Sequence, residues 1–359
     1  MAGRGDPVRE MTMKMVGVVQ RVPLFDANGL RRDAAREAAE AEGSAAIRAH
    51  YEAYGAAIEA YADAYFALRR AEEAENHRGT MDRLLESARA RYRSGNGRLD
   101  EMLRAESEQA RVIADIVRYR AAAERAWARL DAIRGRDPGA PPADLEPPPA
   151  LAVPEGEASW ARAAQEGHPR LAEAEARERG YAFSARASRR MSWPDLEVRA
   201  SYGFRGADRM GMDWDNMFSA GVGVMVPIFA GQRERAMGAE FDAMARAAAS
   251  ERREAELDLA REAHALHADA RAAVRTVSLL ADTVVVTQER AVEAAWSAYA
   301  AGAVDLYRVF DATHTLYVED LSLLDARNEL ARVQGRLVAL TGRGDLAGIA
   351  LPAFRRDER

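Results

Sequence analysis

Three sets of side chains in this 359-residue sequence carry groups that could do chemistry. His264 and His267 stand three apart within a helical pattern, a spacing at which two imidazoles can share a metal ion. No third ligand lies near them in sequence, and two histidines on a solvated helix face are commonly only that. Met11, Met13 and Met15 recur at every second residue, and Met210 and Met212 lie in a loop. Thioether sulfur binds Cu(I), but methionine also simply fills apolar strand faces. Arg308 and Asp311 form an i,i+3 pair, worth roughly 0.2–0.5 kcal/mol on an exposed helix. Cysteine is absent, which removes disulfides, thiolate metal sites and a cysteine nucleophile. No Ser/His/Asp set, Gly-rich phosphate loop or paired acid stands out. The residues therefore point to no enzyme, no cofactor and no resident metal.

What the sequence specifies instead is long helices. From Tyr299 to Gly342, Val309, Leu316, Leu323, Leu330 and Leu337 fall seven apart, with Ala312, Ala326, Val333 and Leu340 between them. Glu319 is the one polar intruder. This is the seam of a helix packed along another helix. The stretch occurs twice. At a shift of 207 residues, Tyr92 matches Tyr299, Gly95 matches Gly302, Ala105 matches Ala312, Leu130 matches Leu337 and Gly135 matches Gly342. Met102, Val112, Ile116, Tyr119 and Ile133 keep the seam in the first copy. Two copies of one helical unit predict an elongated body of two similar halves.

Composition agrees. Apolar residues make up 48% but aromatics only 7%, as alanine-rich long helices require. A net charge of -6 gives no basic footprint, so no nucleic acid is expected. No apolar run of about eighteen residues exists, which excludes a transmembrane helix and leaves a β-barrel open. The opening residues, MAGRGDPVRE, contain no signal-peptide h-region.

In order along the chain, Met11–Phe25 reads as a strand ending at Pro23, where a missing N–H breaks no central ladder. A helix from about Gly29 to Arg93 would span about 100 Å. Its stripe, Ile47, Tyr51, Tyr54, Ile58, Tyr61, Tyr65 and Leu68, is rich in phenols and predicts a partly wet seam. Ser94–Gly97 turns the chain, and a second helix returns to about Arg134. Seven prolines between Gly135 and Pro154 forbid helix and mark a linker. A helix from Pro169 to Arg190 leads to two alternating segments, 195–204 and 217–227. On one face stand Leu196, Val198, Ala200, Tyr202 and Phe204, then Phe218, Ala220, Val222, Val224 and Val226. Small and polar residues fill the other face. Trp193 and Trp214 flank this hairpin as an aromatic girdle would flank lipid, although a helix-covered soluble sheet would alternate in the same way. A second long helix carries the stripe Leu259, Ala263, Leu266, Ala270, Ala273, Val277, Leu280, Val284, Thr287, Ala291, Ala294, Ala298. The expected domains are 1–135 (first repeat), 136–156 (linker), 157–342 (second repeat, with its hairpin at 195–227) and 343–359 (tail).

Val226-Pro227-Ile228-Phe229-x-Gly231, then Tyr299-x-x-Gly302 with Asp311-Ala312, then Leu337-x-x-x-x-Gly342, echoed in the first half, resemble the motifs of the TolC-type outer-membrane efflux proteins. The resemblance runs from about Met11 to Gly342. It implies a mainly α fold with a small β part. Helical hairpins would form a periplasmic α-barrel, and the strands would form part of an outer-membrane β-barrel. It also implies a homotrimer acting as a passive exit duct for an efflux or secretion system. Its partners would be outer-membrane lipid, a periplasmic adaptor (membrane fusion) protein and an inner-membrane pump. The alternative from pattern alone is a soluble coiled-coil scaffold, which leaves the two matched strand segments without a purpose.

By the same resemblance, the turns at Tyr92, Gly95, Tyr299 and Gly302 would be the tips that dock the adaptor. Glu101, Tyr299, Arg308 and Asp311 would lie at the pore mouth, with Tyr299 and Glu101 matching one bonded pair of the family's closed gate. The family's gate arginine falls on Val304, and of two aperture aspartates one falls on Arg308 and the other on Asp311. Lys14 stands where the second copy has Phe218. Three strands are legible where the family has four, and family chains begin with a signal peptide, a helix pair and a first strand. An open edge cannot sit in lipid, so the expectation is a late start site or a fragment.

Overall fold

A computed structural model describes residues 13–22, 25–137, 144–149, 157–205, 215–226 and 230–345. The fold is mainly helical with one small sheet. In chain order it consists of β1 (Met13–Val22), α1 (Ala27–Arg93), α2 (Leu99–Ile133), α3 (Glu157–Gln165), α4 (Pro169–Arg190), β2 (Asp195–Arg205), β3 (Met217–Met225), α5 (Ala230–Leu279), α6 (Val286–Ala300) and α7 (Leu306–Thr341). Between α5 and α6 the chain makes a π-helical turn, Leu280–Val285, with ordinary helical dihedrals on both sides. The motif Pro227-Ile228-Phe229, Met11, Met210, Met212 and Trp214 lie outside the described residues.

The contacts divide the chain into two compact units. The first takes residues 1–45 and 169–255, and the second takes 46–168 and 256–359. Each draws on both sequence repeats. Repeats divide the sequence and units divide the contacts, so the two divisions are independent.

In the first unit the three strands form one antiparallel sheet in the order β1-β2-β3. The register places Val16 opposite Tyr202, Val18 opposite Ala200 and Val22 opposite Leu196. On the other side of β2, Tyr202 faces Phe218, Val198 faces Val222 and Leu196 faces Val224. Directly opposed residues share a face. One face is therefore apolar across all three strands, interrupted in β1 by Lys14 and Gln20. That face is bare: Val18 is 70% exposed, Phe218 68% and Val222 72%. The other face carries Gly17, Ser201, Gly203, Ser219, Gly221 and Gly223, with Glu197 held by Arg199 at 2.6 Å and Arg21 at 3.6 Å. Met13 and Met15 point to this small-residue face. Below the sheet, Phe25 packs on Trp193 at 4.6 Å, Arg179 bonds Glu37 at 2.8 Å and Arg252 bonds Glu178 at 3.3 Å. Among the described residues no helix is long and apolar enough to cross a membrane.

In the second unit, α1 and α7 approach closely at two glycines. A Cβ on Gly55 would lie 2.6 Å from the Gly335 carbonyl oxygen, and one on Gly335 would lie 2.7 Å from the Gly55 oxygen. Along α7 the heptad positions Val309, Leu323, Val333, Leu337 and Leu340 are buried, as are Phe310, Thr313, Tyr317 and Gln334. α7 therefore buries more than a single seam. In α2 the seam holds at Ala105, Val112, Ile116 and Leu130, but Ile133 is 40% exposed because the helix ends there. The tyrosine stripe of α1 is half-buried, as a wet seam requires, while Ala60, Ala62, Ala64 and Phe66 take the dry positions.

The proline-rich linker is tied down at 144–149. Tyr61 donates to the Glu146 carbonyl at 2.7 Å, Gln334 donates to the Pro149 carbonyl at 2.8 Å, and Leu145 packs on Ala60, Ala64, Trp127 and Leu130. α3 was not anticipated by the sequence pattern, which began the helix at Pro169. Its Trp160 is fully buried and meets His267 edge-on at 5.4 Å. His267 is therefore a core residue, not part of a solvated pair. No group of three or more acidic, histidine or cysteine side chains that could hold a metal gathers among the described residues.

Candidate functional site at the paired helix turns

Both Tyr-x-x-Gly segments close their helices by the same chemistry. At the end of α1, the Asn96 amide bonds the Arg91 carbonyl at 2.9 Å and the Gly95 amide bonds that of Tyr92 at 3.1 Å. At the end of α6, Ala303 bonds Ala298 at 2.9 Å and Gly302 bonds Tyr299 at 2.9 Å. These paired 6→1 and 5→2 bonds are Schellman caps, which satisfy carbonyls the helix leaves unpaired. They need a left-handed residue, and Gly95 (φ 75°) and Gly302 (φ 69°) supply it without a Cβ clash. α7 then restarts at Asp305, whose carboxylate accepts from the Arg308 amide at 3.3 Å. α2 restarts with no side-chain cap on its first turn.

The two turns lie side by side through Arg91. Its guanidinium donates to the Tyr299 hydroxyl at 2.8 Å and to the Asn96 carbonyl at 3.1 Å, and it also lies 5.2 Å from the Tyr299 ring centre. Charge-assisted bonding and a cation–π contact on one half-buried pair thus join the two turns. Within the chain, the Tyr299 hydroxyl is thus bonded by Arg91 and not by Glu101. Sequence reading missed Arg91 because its repeat equivalent is Ala298, so duplication gave it no second signal.

Glu101 and Asp311 share one surface. They line one open groove of about 430 Å³ between the starts of α2 and α7, together with Arg104, Glu108, Arg111, Tyr307 and His314. Arg104 lies over the Tyr307 ring at 4.6 Å, and Arg111 bonds Glu108 at 2.7 Å. The groove therefore offers carboxylates, guanidiniums and an aromatic face together. Arg308 is exposed and does not line it, and no ion pair joins Arg308 to Asp311 among the described residues. Tyr92 is 42% exposed.

Behind the groove lies a titratable core. His77 of α1 stacks flat on Tyr317 of α7 at 4.1 Å, with the His314 ring 6.1 Å away. Neither the His77 Nε2 nor the Tyr317 hydroxyl has a hydrogen-bond partner among the described residues. Burial, with His314 nearby, pushes the His77 imidazole down to about 4. Burial raises the Tyr317 phenol. Burial, with Glu73 and Glu289 close by, pushes the Asp320 carboxyl up to about 6.

The family model described as outer membrane efflux protein matches residues 160–343. No curated protein matches the chain. Among solved structures, a membrane protein from Pseudomonas aeruginosa is similar at a TM-score of 0.79 and 19% identity, covering 93% of this chain and 85% of that one. The outer-membrane channel OprN is similar at 0.79 and 18% identity, covering 94% and 82%. The open state of the Neisseria gonorrhoeae MtrE outer membrane channel is similar at 0.76 and 17% identity, covering 94% and 81%. At these identities the likeness is one of fold.

Proposed function

Because the chain belongs to the outer membrane efflux protein family, we propose that it is a passive outer-membrane exit duct of a trans-envelope efflux or secretion system, and not an enzyme. The observation that carries this reading is the bare apolar face running unbroken across β2 and β3 and most of β1. A soluble scaffold would have to leave that face in water. In an outer-membrane barrel it meets lipid, while the glycine- and serine-rich face with its Arg–Glu pairs borders the aqueous lumen. Three protomers close the barrel, and the helices extend it into the periplasm as two repeats joined by the linker.

In this proposal the turns at Tyr92–Gly95 and Tyr299–Gly302 form the distal tip, which docks a periplasmic adaptor and an inner-membrane pump. Glu101, Tyr299, Arg308 and Asp311 stand near the mouth. Three copies of each around one narrow opening set its charge, and Arg308 beside Asp311 makes that ring mixed in sign. Planar-bilayer recording tests the proposal. Protein carrying the four strands per protomer that the family has should give steady channels, and Arg308→Asp in it should move the reversal potential towards cation selectivity. A preparation that stays monomeric in detergent and never conducts would overturn the duct. Channels indifferent to Arg308→Asp would remove that residue from the mouth.

A further inference from the structure

The π-helical turn Leu280–Val285 changes which residues face the core. Upstream, Leu259, Ala263, Leu266, Ala270 and Ala273 are buried in the expected 4-3 spacing. Continued without interruption, that stripe reaches Val284, Thr287, Ala291, Ala294 and Ala298. Yet Thr287, Ala291 and Ala294 are exposed and Val284 and Ala298 only half-buried, while Val285 is buried and Gln288, Val292, Ala295 and Tyr299 are half-buried. The inward face has moved on by one residue, because a π turn closes i→i+5 bonds and takes up one residue more than an α turn. One residue is about 100° of helix rotation. That rotation brings Ala295 and Tyr299 onto the core of α1, α2 and α7, and the Gln288 side chain onto the Ala312 carbonyl at 3.0 Å.

The displaced stripe is just as fit to pack. Val284, Thr287, Ala291, Ala294 and Ala298 are all small and uncharged, whereas Glu289, Arg290 and Glu293 belong to neither stripe. The sequence of α6 thus carries two complete seams, offset by one residue, and the π turn selects between them. We propose that Leu280–Val285 is a register switch in the tip hairpin. Relaxed to α-helix, it turns α6 by one residue, brings the alanine seam onto α7 and withdraws Tyr299 from Arg91. The Arg91–Tyr299 contact is the latch that holds the observed register.

The chain has no cysteine, so single cysteines at Ala294 and Ala295 report the register by their maleimide labelling rates in the full-length protein. Position 294 should label faster than 295. Arg91→Ala removes a charge-assisted bond and should shift the ratio of the two rates roughly tenfold, slowing 294 and speeding 295. Deleting Thr283 removes the additional residue. An uninterrupted α-helix then presents the observed face, and the deletion combined with Arg91→Ala should restore the parent ratio. Three results would overturn the switch: no change with Arg91→Ala, both positions speeding together as a fraying helix would, or no restoration by the deletion.

Discussion

Replacing Gly335 with alanine tests the close approach of α1 and α7 in the second unit. The new Cβ would sit 2.7 Å from the Gly55 carbonyl oxygen and 2.8 Å from the Glu59 Cγ. Ordinary contact is near 3.4 Å or more, so α1 and α7 must part by about 0.7 Å or bend. Overpacking of this kind costs about 1–3 kcal/mol, against a gain of about 1 kcal/mol in helix propensity. A net loss of up to about 2 kcal/mol is expected. Gly43 is the control, since it lies in α1 with nothing within 4 Å of its Cβ position. Gly43→Ala should stabilise by roughly 0.5–1 kcal/mol. Gly55→Ala should behave like Gly335→Ala, and the double variant should cost less than the sum, because one separation of the helices relieves both clashes. Urea unfolding of the detergent-purified protein reads all four. If Gly335→Ala proved as stable as Gly43→Ala, the crossing would not be close and the reasoning would fail.

Two more outcomes are expected. His77 is neutral down to about pH 4 in the fold but titrates near 6.5 when unfolded, so its contribution is full above about pH 6.5 and is lost as pH falls towards 4. Asp320, raised to about 6, acts oppositely, since the fold holds its proton more tightly than the unfolded chain and stability falls as pH rises from about 4 to 6. His77→Phe leaves Asp320 alone, so the variant should be more stable at pH 4.5 than at pH 7 relative to the parent, by roughly 1 kcal/mol after allowing for solvent screening; a difference of the opposite sign would refute the assignment. Tyr61→Phe removes the bond to the Glu146 carbonyl, and should cost about 1 kcal/mol and speed proteolysis within 144–149 while leaving the helical circular dichroism unchanged.

The long elements were legible because their signals are repeated many times along the chain. Heptads, the Tyr-x-x-Gly turns and strict strand alternation placed α1, α2, α7, β2 and β3 to within a few residues. The features that were missed each depend on a single event or a distant partner. The π turn has no composition of its own, and both of its seams are uncharged, so the sequence pattern beyond Leu280 runs one residue out of phase with the fold. Arg91 becomes informative only once α6 lies beside α1. His267 looked solvated because α3, which brings Trp160 over it, is nine residues long and follows a proline-rich stretch. At the mouth, the resemblance pairs Tyr299 with Glu101, whereas within the chain the Tyr299 hydroxyl accepts from Arg91.

The way the linker is held affects how freely it can change. Tyr61 and Gln334 grip the carbonyls of Glu146 and Pro149, and Leu145 packs by its side chain. A carbonyl is common to every residue, so the identities at the exposed positions 144, 146, 147 and 149 can drift over evolutionary time as long as the segment stays extended. The constraint falls on the helices that do the gripping, at positions far away in the chain. In a set of related sequences, Tyr61 and Gln334 should therefore persist beside a stretch that has become unrecognisable.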